Sequence, residues 1–540
     1  MGRAMNFTQA VRYVQSLSIQ GWRLGNARFE AFLERLGNPH LEIPCVHITG
    51  TNGKGSTTAL VSSILRAAGY RVGSYISPHV FDIRERILID GEMISKELFT
   101  EGVASMRPII EQLSDTEYGH ITEFEIKTGL AFWAFRQAQV DIAVLEVGLG
   151  GRMDATNVIT PEVSVIVSIG LDHTDRLGLT HRDIAYEKAG IIKPGRPVVS
   201  GAAHPDAVEM IAQVAAAQNA PLYPVLPRGA DIPVRATASP RGTDIPVRAT
   251  ASPRGTDIPV RATASPRGAD IPVRATASPR GADIPVRATA SPCGTDIPVR
   301  ATASPRGTDI PVRAEGSLEG ESLDRNVQAT SPFFYIPLPS PTDSAVRVQD
   351  GEWEIALQPY LIGDYQRHNT ACAVAAAVLL RARGYSIPDE AIERGVREAH
   401  LPGRLQVVAE LPRVVLDGAH NPDAAAVLAN ALPRLFKYRR LILVFGMLTP
   451  HEPQDTLKHL LPLTDVVVFT RIASPRAHNA QTLLQSAQQW LEANPRRIMP
   501  TLLATDTPQQ AFEQAKAIAD VDDLILVTGS FYLVGEWKTP

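Results

Sequence analysis

Strand-like apolar runs and helix-period segments alternate along most of the chain. Pro44–Thr49 reads as a buried strand, and Lys54–Ala68 follows it with helical spacing. Asp141–Val147 and Val163–Ile169 read as further strands, with a helix over Glu123–Gln139 before them. A helix over His181–Ile192 and a strand over Arg196–Ser200 continue the alternation, and Tyr365–Arg383 reads as an alanine-rich buried helix. A second series begins near Leu401, with strands at Arg413–Asp417, Arg439–Phe445, Asp465–Thr470 and Asp523–Thr528. Strands that alternate with helices imply parallel sheets covered by those helices. The predicted fold class is therefore α/β. A large N-terminal domain over 1–400 has a mostly parallel sheet, and a smaller Rossmann-like α/β domain covers 401–540.

One stretch breaks the pattern. Asp-Ile-Pro-Val-Arg recurs every 13 residues from Asp231 to Asp309. Each full unit offers Ile and Val as its only large apolar residues and carries two prolines. Two aliphatic side chains per unit cannot offset the entropy of ordering it. Proline every six or seven residues also interrupts a strand ladder. Residues 228–330 are predicted to be a disordered insertion late in the N-terminal domain.

Composition narrows the function without naming it. Hydrophobic residues make up 44% and charged residues 20%, enough to build ordinary cores. The net charge of −4 gives no basic field for nucleic acid. Cys45, Cys293 and Cys372 are scattered and show no metal-type spacing, which fits a reducing compartment. No apolar run approaches the roughly 18 residues of a membrane span, and the N-terminus has no apolar signal core. The expectation is a cytoplasmic monomer with no nucleic-acid or membrane partner.

The chemistry begins at Thr49-Gly50-Thr51-Asn52-Gly53-Lys54-Gly55-Ser56, between a buried strand and a helix. Glycines let the backbone approach an anion, amides and the helix N-terminus point at it, and Lys54 supplies a cation. Ser56 or Thr57 can reach a phosphate or a magnesium ion. The run departs from the strict Walker pattern, with Ile48 where a glycine and Gly55 where a hydroxyl would stand. A second run, Glu146-Val147-Gly148-Leu149-Gly150-Gly151-Arg152-Met153-Asp154, follows a strand, and a carboxylate at such an end can hold Mg²⁺. Asp172-His173-Thr174-Asp175 follows the next strand.

Together these runs resemble the Mur ligase superfamily, in its folylpolyglutamate synthase and dihydrofolate synthase branch. The likeness extends to Glu187-Lys188-Ala189-Gly190-Ile191, the Tyr75–Ile87 loop, Thr122-Glu123-Phe124-Glu125, Gln366 with Asn369, Pro402-Gly403-Arg404, and Asp417-Gly418-Ala419-His420. It covers the chain outside about 228–350.

The resemblance implies a P-loop-type ATPase domain and an ATP-dependent ligase that joins L-glutamate to dihydropteroate or a reduced folate through an acyl phosphate. It implies Thr51, Asn52, Gly53, Lys54, Gly55, Ser56, Asn369, Arg404 and Asp417 at ATP, and Ser77, Glu146 and His173 on Mg²⁺. It implies Phe124 and Asp154 at the folate. Lys54, Lys188 and His420 would be catalytic, Lys188 as a carbamate. The chain departs from the family at Arg176, where tryptophan is usual, and at Thr449-Pro450-His451-Glu452, where an acidic-Lys-Asp segment is usual. Two rival readings are a ligase acting on a cell-wall nucleotide precursor and a nucleotide-binding scaffold that holds a partner through its repeats. Gly55, the Ser77–Ile87 loop and the Glu187–Ile192 helix favour the folate branch over the first. Lys54, Glu146, His173 and Lys188 speak against an inactive scaffold.

Overall fold

The computed structural model describes residues 5–17, 25–229 and 331–537, with short strands inside 230–330. Every strand and helix named above is present, with trimmed ends. The chain forms two compact units, 1–226 with 329–540, and 227–328. The larger unit holds both α/β domains.

The first domain is built on an eleven-stranded sheet. Its order is Trp353–Leu357, Val346–Asp350, Phe333–Pro337, Leu222–Pro227, Val198–Ser200, Val163–Ile166, Cys45–Thr49, Ile142–Glu146, Val72–Tyr75, Ile87–Ile89, Glu92–Met93. Alternate residues of the central strands feed two cores. Val46, Ile48, Ile142 and Val144 join one, while Cys45, Ala143 and Leu145 join the other. Burial on both faces explains why these strands read as continuous apolar runs. The first core takes Leu60, Val61 and Ile64 from the Lys54–Ala67 helix and Ala371 to Ala377 from Tyr365–Ala382. The second takes Leu130, Phe132 and Phe135 from Glu123–Gln137.

Strand pairing places the candidate chemistry. Cys45–Thr49 runs parallel to both Ile142–Glu146 and Val163–Ile166, with Ile48 opposite Glu146 and Thr49 opposite Ile166. Three carboxyl ends therefore lie side by side, at the edge where open α/β sheets bind ligands.

The second domain has a six-stranded sheet in the order Gln406–Glu410, Arg413–Leu416, Leu524–Thr528, Leu441–Phe445, Val466–Thr470, Thr501–Thr505. It too is covered on both faces, with Val415, Leu443 and Leu526 in one core and Val414, Ile442 and Ile525 in the other. No described helix is long and apolar enough to cross a membrane.

Short strands are described inside the insertion. Val247–Thr250 pairs in parallel with Ile271–Thr276, and Val260–Thr263 with Arg235–Thr237 and Val286–Thr289. Each of these pairings joins a strand to its counterpart two repeats away. Val and Thr favour extended backbone, and identical copies present identical edges. The residues between the strands lie outside the described ones, and so does the expectation for them.

The repeat segment interrupts a connection between two neighbouring strands, Leu222–Pro227 and Phe333–Pro337. Closure entropy grows only logarithmically with loop length. Deleting Gly229–Arg313 is therefore predicted to keep nucleotide binding within a few-fold and the melting temperature within a few degrees. Collapse of either in thermal melts and nucleotide titrations would show that the repeats are a working part.

Candidate active site

The loop after Cys45–Thr49 is fixed by its neighbours before any ligand arrives. Ser168 holds Asn52 from both sides: its Oγ accepts from Asn52 N at 3.0 Å and donates to Asn52 O at 2.9 Å. Thr51 N donates to Ser168 O at 2.9 Å, and Gly170 N donates to Thr51 Oγ1 at 2.9 Å. Gly53 caps the Lys54–Ala67 helix at φ +83°, a backbone that side chains resist. A Cβ at Gly53 would sit 2.2 Å from Asn369 Oδ1.

Two amines converge on this loop. Lys54 Nζ donates to Gly50 O at 2.9 Å and Thr51 O at 3.2 Å, and Lys188 Nζ donates to the same Gly50 O at 3.0 Å. Burial lowers the pKa of Lys54, opposed by Glu146 and Asp172. Burial, reinforced by the charge of Lys54, brings Lys188 down to about 7. Glu146 is buried beside them; its Oε2 accepts from Ser77 N at 3.0 Å, and burial raises its pKa against the pull of Lys54.

These groups line one cavity of about 370 Å³. Thr51, Asn52, Gly53, Lys54, Gly55, Ser77, Glu146, His173 and Lys188 all reach it, as do Phe124 and Asp154 on another wall and Arg404 and His420 from the second domain. Phe124 packs on Gly148, where a Cβ would lie 2.5 Å from its Cζ. Asp154 is held by its surroundings: Oδ2 accepts from Leu149 N at 3.0 Å and Oδ1 from Thr156 N at 2.9 Å. Thr156 Oγ1 donates to Asp154 and lies 2.8 Å from His47 Nε2. Burial keeps His47 near a pKa of about 3 and hence neutral, so Nε2 reaches Thr156 as a donor in this chain.

Ser56, Asn369 and Asp417 stand behind the wall. Gln366 Nε2 donates to Ser56 Oγ at 3.4 Å, and Asn369 Nδ2 donates to Gln366 Oε1 at 2.9 Å. Asp417 accepts from Leu405 N and Ala419 N, each at 2.9 Å, and so fixes the turn that carries Arg404. The Arg404 guanidinium lies 4.3 Å from the Phe531 ring centroid. His420 Nδ1 sits 2.8 Å from Gly418 O; a carbonyl only accepts, so Nδ1 carries the proton and Nε2 is left as acceptor. Burial lowers the His420 pKa to about 4.

Sequence reasoning missed one of the residues that tie the domains together. Asn421 Oδ1 caps the Pro422–Leu435 helix through Ala424 N at 2.9 Å. Its Nδ2 donates to Asp172 Oδ2 at 2.8 Å and to Asn52 Oδ1 at 3.2 Å. The cap is legible in Asn-Pro, but the crossing contacts leave no local signal. Arg86 was missed too. It is buried, lines the cavity and donates through Nε to His79 Nδ1 at 2.9 Å.

Residues 48–218 match the Mur ligase middle domain, and 403–531 match the Mur ligase, glutamate ligase domain. The dihydrofolate synthase/folylpolyglutamate synthase of Bacillus subtilis is 30% identical over 518 residues, 96% of this chain and 94% of the relative. This chain belongs to the folylpolyglutamate synthase/dihydrofolate synthase family of Mur ligases. A Halobacterium salinarum relative, named a probable bifunctional folylpolyglutamate synthase/dihydropteroate synthase, is 32% identical over 99% of this chain. The chain spans 52% of that relative's length, so only about half of the longer protein has a counterpart here. Among solved structures, Escherichia coli FolC in complex with DHPP and ADP aligns with TM-score 0.70 and 29% identity, covering 98% of this chain and 96% of that one. A bifunctional folylpolyglutamate synthase/dihydrofolate synthase with Mn, AMPPNP and L-glutamate bound aligns with TM-score 0.68 and 27% identity, covering 99% and 98%.

Two outcomes follow from this geometry. Gly53→Ala is predicted to weaken ATP binding about ten-fold or more, because the left-handed backbone alone costs about 1–2 kcal/mol and Asn369 must also move. Unchanged affinity by calorimetry would contradict it. Lys188 is predicted to be neutral above a pH of about 7 and to react with dissolved CO2 from that pH upward. Half-maximal incorporation of ¹³C-labelled CO2 is expected near that pH and is lost in Lys188→Ala. A midpoint near that of an exposed lysine, or no label, would contradict it.

Proposed function

We propose that this protein is an ATP-dependent ligase that joins L-glutamate to the carboxylate of dihydropteroate, of a (poly)glutamylated tetrahydrofolate, or of both. One observation carries the reading. A phosphate loop, a buried carboxylate, an aromatic wall at Phe124 and two groups from the second domain meet in a single cavity of about 370 Å³. A carboxylate alone is a poor acylating agent, since oxide is a bad leaving group. Its attack on the γ-phosphorus of ATP forms an acyl phosphate and expels ADP. The amine of glutamate then attacks the carbonyl carbon, phosphate leaves, and the amine loses its proton.

Each residue has a task in this scheme. Lys54 exchanges its carbonyl acceptors for phosphate oxygens and balances the transferred charge. Gly53 and Gly55 keep the backbone open to the phosphates, with Thr51, Asn52 and Ser56 around them. Arg404 reaches the phosphates from the second domain, where its planar fork suits their oxygens, and Asp417 holds its turn in place. Asn369, through Gln366 and Gly53, fixes the loop. Phe124 stacks on the pteridine, and Asp154 presents a carboxylate to its polar edge. His420 offers Nε2 as an acceptor for the attacking amine.

The residues present fit a magnesium ion. Glu146 is a buried carboxylate whose pKa burial raises, a state that a divalent cation relieves. Glu146, Ser77 and His173 would hold it, joined by Lys188 once its neutral amine has taken up CO2. When bound, the ion neutralises phosphate charge.

Dihydropteroate and tetrahydrofolate, offered separately with ATP and glutamate, are each expected to gain one glutamyl residue by mass spectrometry, with one ADP released per product. Gain on one alone narrows the substrate; gain on neither overturns the reading. Lys54→Ala is expected to lower turnover by about a hundred-fold or more while the circular dichroism spectrum and melting temperature stay put. Near-normal turnover in the folded variant would remove Lys54 from the reaction.

A further inference from the structure

The segment that departs from the family at Thr449–Glu452 places an imidazole beside Asp172 and His173, two residues of the cavity wall. His451 Nδ1 lies 3.9 Å from Asp172 Oδ1, and His173 Nε2 lies 4.0 Å from that same oxygen. One donor atom from each of the three residues falls within 4.8 Å of the others. Asp172 and His173 come from the first domain and His451 from the second.

The cluster is held in place from behind. Asn421 Nδ2 donates to Asp172 Oδ2 at 2.8 Å, and His173 N donates to Oδ1 at 2.8 Å, which fixes the carboxylate with the second lone pair of Oδ1 toward the two rings. His173 adopts φ +49° at the start of its helix, so its ring is set by the turn. The His451 loop is anchored at its backbone. Thr449 N donates to Arg476 O at 2.8 Å, and His478 Nε2 donates to His451 O at 3.0 Å. The side chains of Asp172 and His451 are only 7% and 18% exposed.

Separations of 3.9 and 4.0 Å are too long for hydrogen bonds. A shared metal ion with bonds of about 2.1 Å holds neighbouring donors roughly 3 to 3.6 Å apart. A small ring rotation closes that gap. Two imidazoles and one carboxylate suit a divalent transition-metal ion, whereas Mg²⁺ prefers oxygen donors and gives up its water reluctantly.

We propose that Asp172, His173 and His451 form a site for a divalent transition-metal ion of the Mn²⁺, Co²⁺ or Zn²⁺ class. The ion takes ligands from both domains and thereby favours their closed arrangement. His173 is shared with the proposed magnesium site, so this ion is the one taken up without nucleotide; the inference rests on the donor set and is independent of the substrate assignment.

Co²⁺ is titrated into the full-length protein without nucleotide, followed by its visible absorption. His451→Ala and His451→Asn, each checked for folding by its melting curve, are expected to bind Co²⁺ about ten-fold more weakly or worse. Binding of Co²⁺ by either folded variant as tightly as by the unaltered protein would overturn the proposal. A second measurement needs no variant. Pulsed electron paramagnetic resonance of the Mn²⁺-loaded protein is expected to show nitrogen couplings from two imidazoles, and couplings from one alone would overturn it.

Discussion

Two buried amines share one carbonyl oxygen, and much of the site follows from that. Lys54 and Lys188 both donate to Gly50 O. Two full positive charges so close together, out of water, repel strongly. Burial first, and then the charge of Lys54, bring the Lys188 pKa down to about 7 against the pull of Asp172 and Asp154; Lys54 is lowered by burial as well but has Glu146 beside it. The site thus holds Lys54 against a carboxylate and Lys188 as an amine that can lose its charge. Glu146, raised by burial, completes the imbalance. Phosphate oxygens and a divalent cation are the charges that would complement this arrangement.

The same economy appears between the domains. A single amide, Asn421, caps a helix of the second domain while holding Asp172 and Asn52 of the first. Asp417 fixes the turn after Arg404, so the arginine and the amide are set by neighbouring strand-end residues. Val80, Ile362 and Tyr365 of the first domain pack against the apolar cores of the second, but the coupling to the phosphate loop itself runs through a few hydrogen bonds. Bonds of that kind break and reform easily, which suits a cavity that must open to admit substrate and close to exclude water.

The strand–loop–helix at Lys54 was legible because its parts are contiguous and its strand is apolar on both faces. Glu146 and His173 were legible as strand-end residues, and the resemblance supplied their roles. Asn421, Ser168 and His451 were not, because their partners lie far away in sequence and no local pattern marks a crossing contact. The antiparallel strands at Val346–Asp350 and Trp353–Leu357 also escaped notice, since their half-polar alternation resembles loop text. The repeat segments were read from their low apolar content and their regularly spaced prolines. Identical copies can pair edge to edge without a core, which is the feature that apolar content does not capture.

The account rests on activation of a carboxylate by phosphorylation before the amine arrives. Dihydropteroate labelled with ¹⁸O in its carboxylate tests this directly. Turnover with ATP and glutamate should carry one ¹⁸O from the carboxylate into each inorganic phosphate released, seen by the isotope shift in ³¹P spectra. Amide formation with unlabelled phosphate would contradict it.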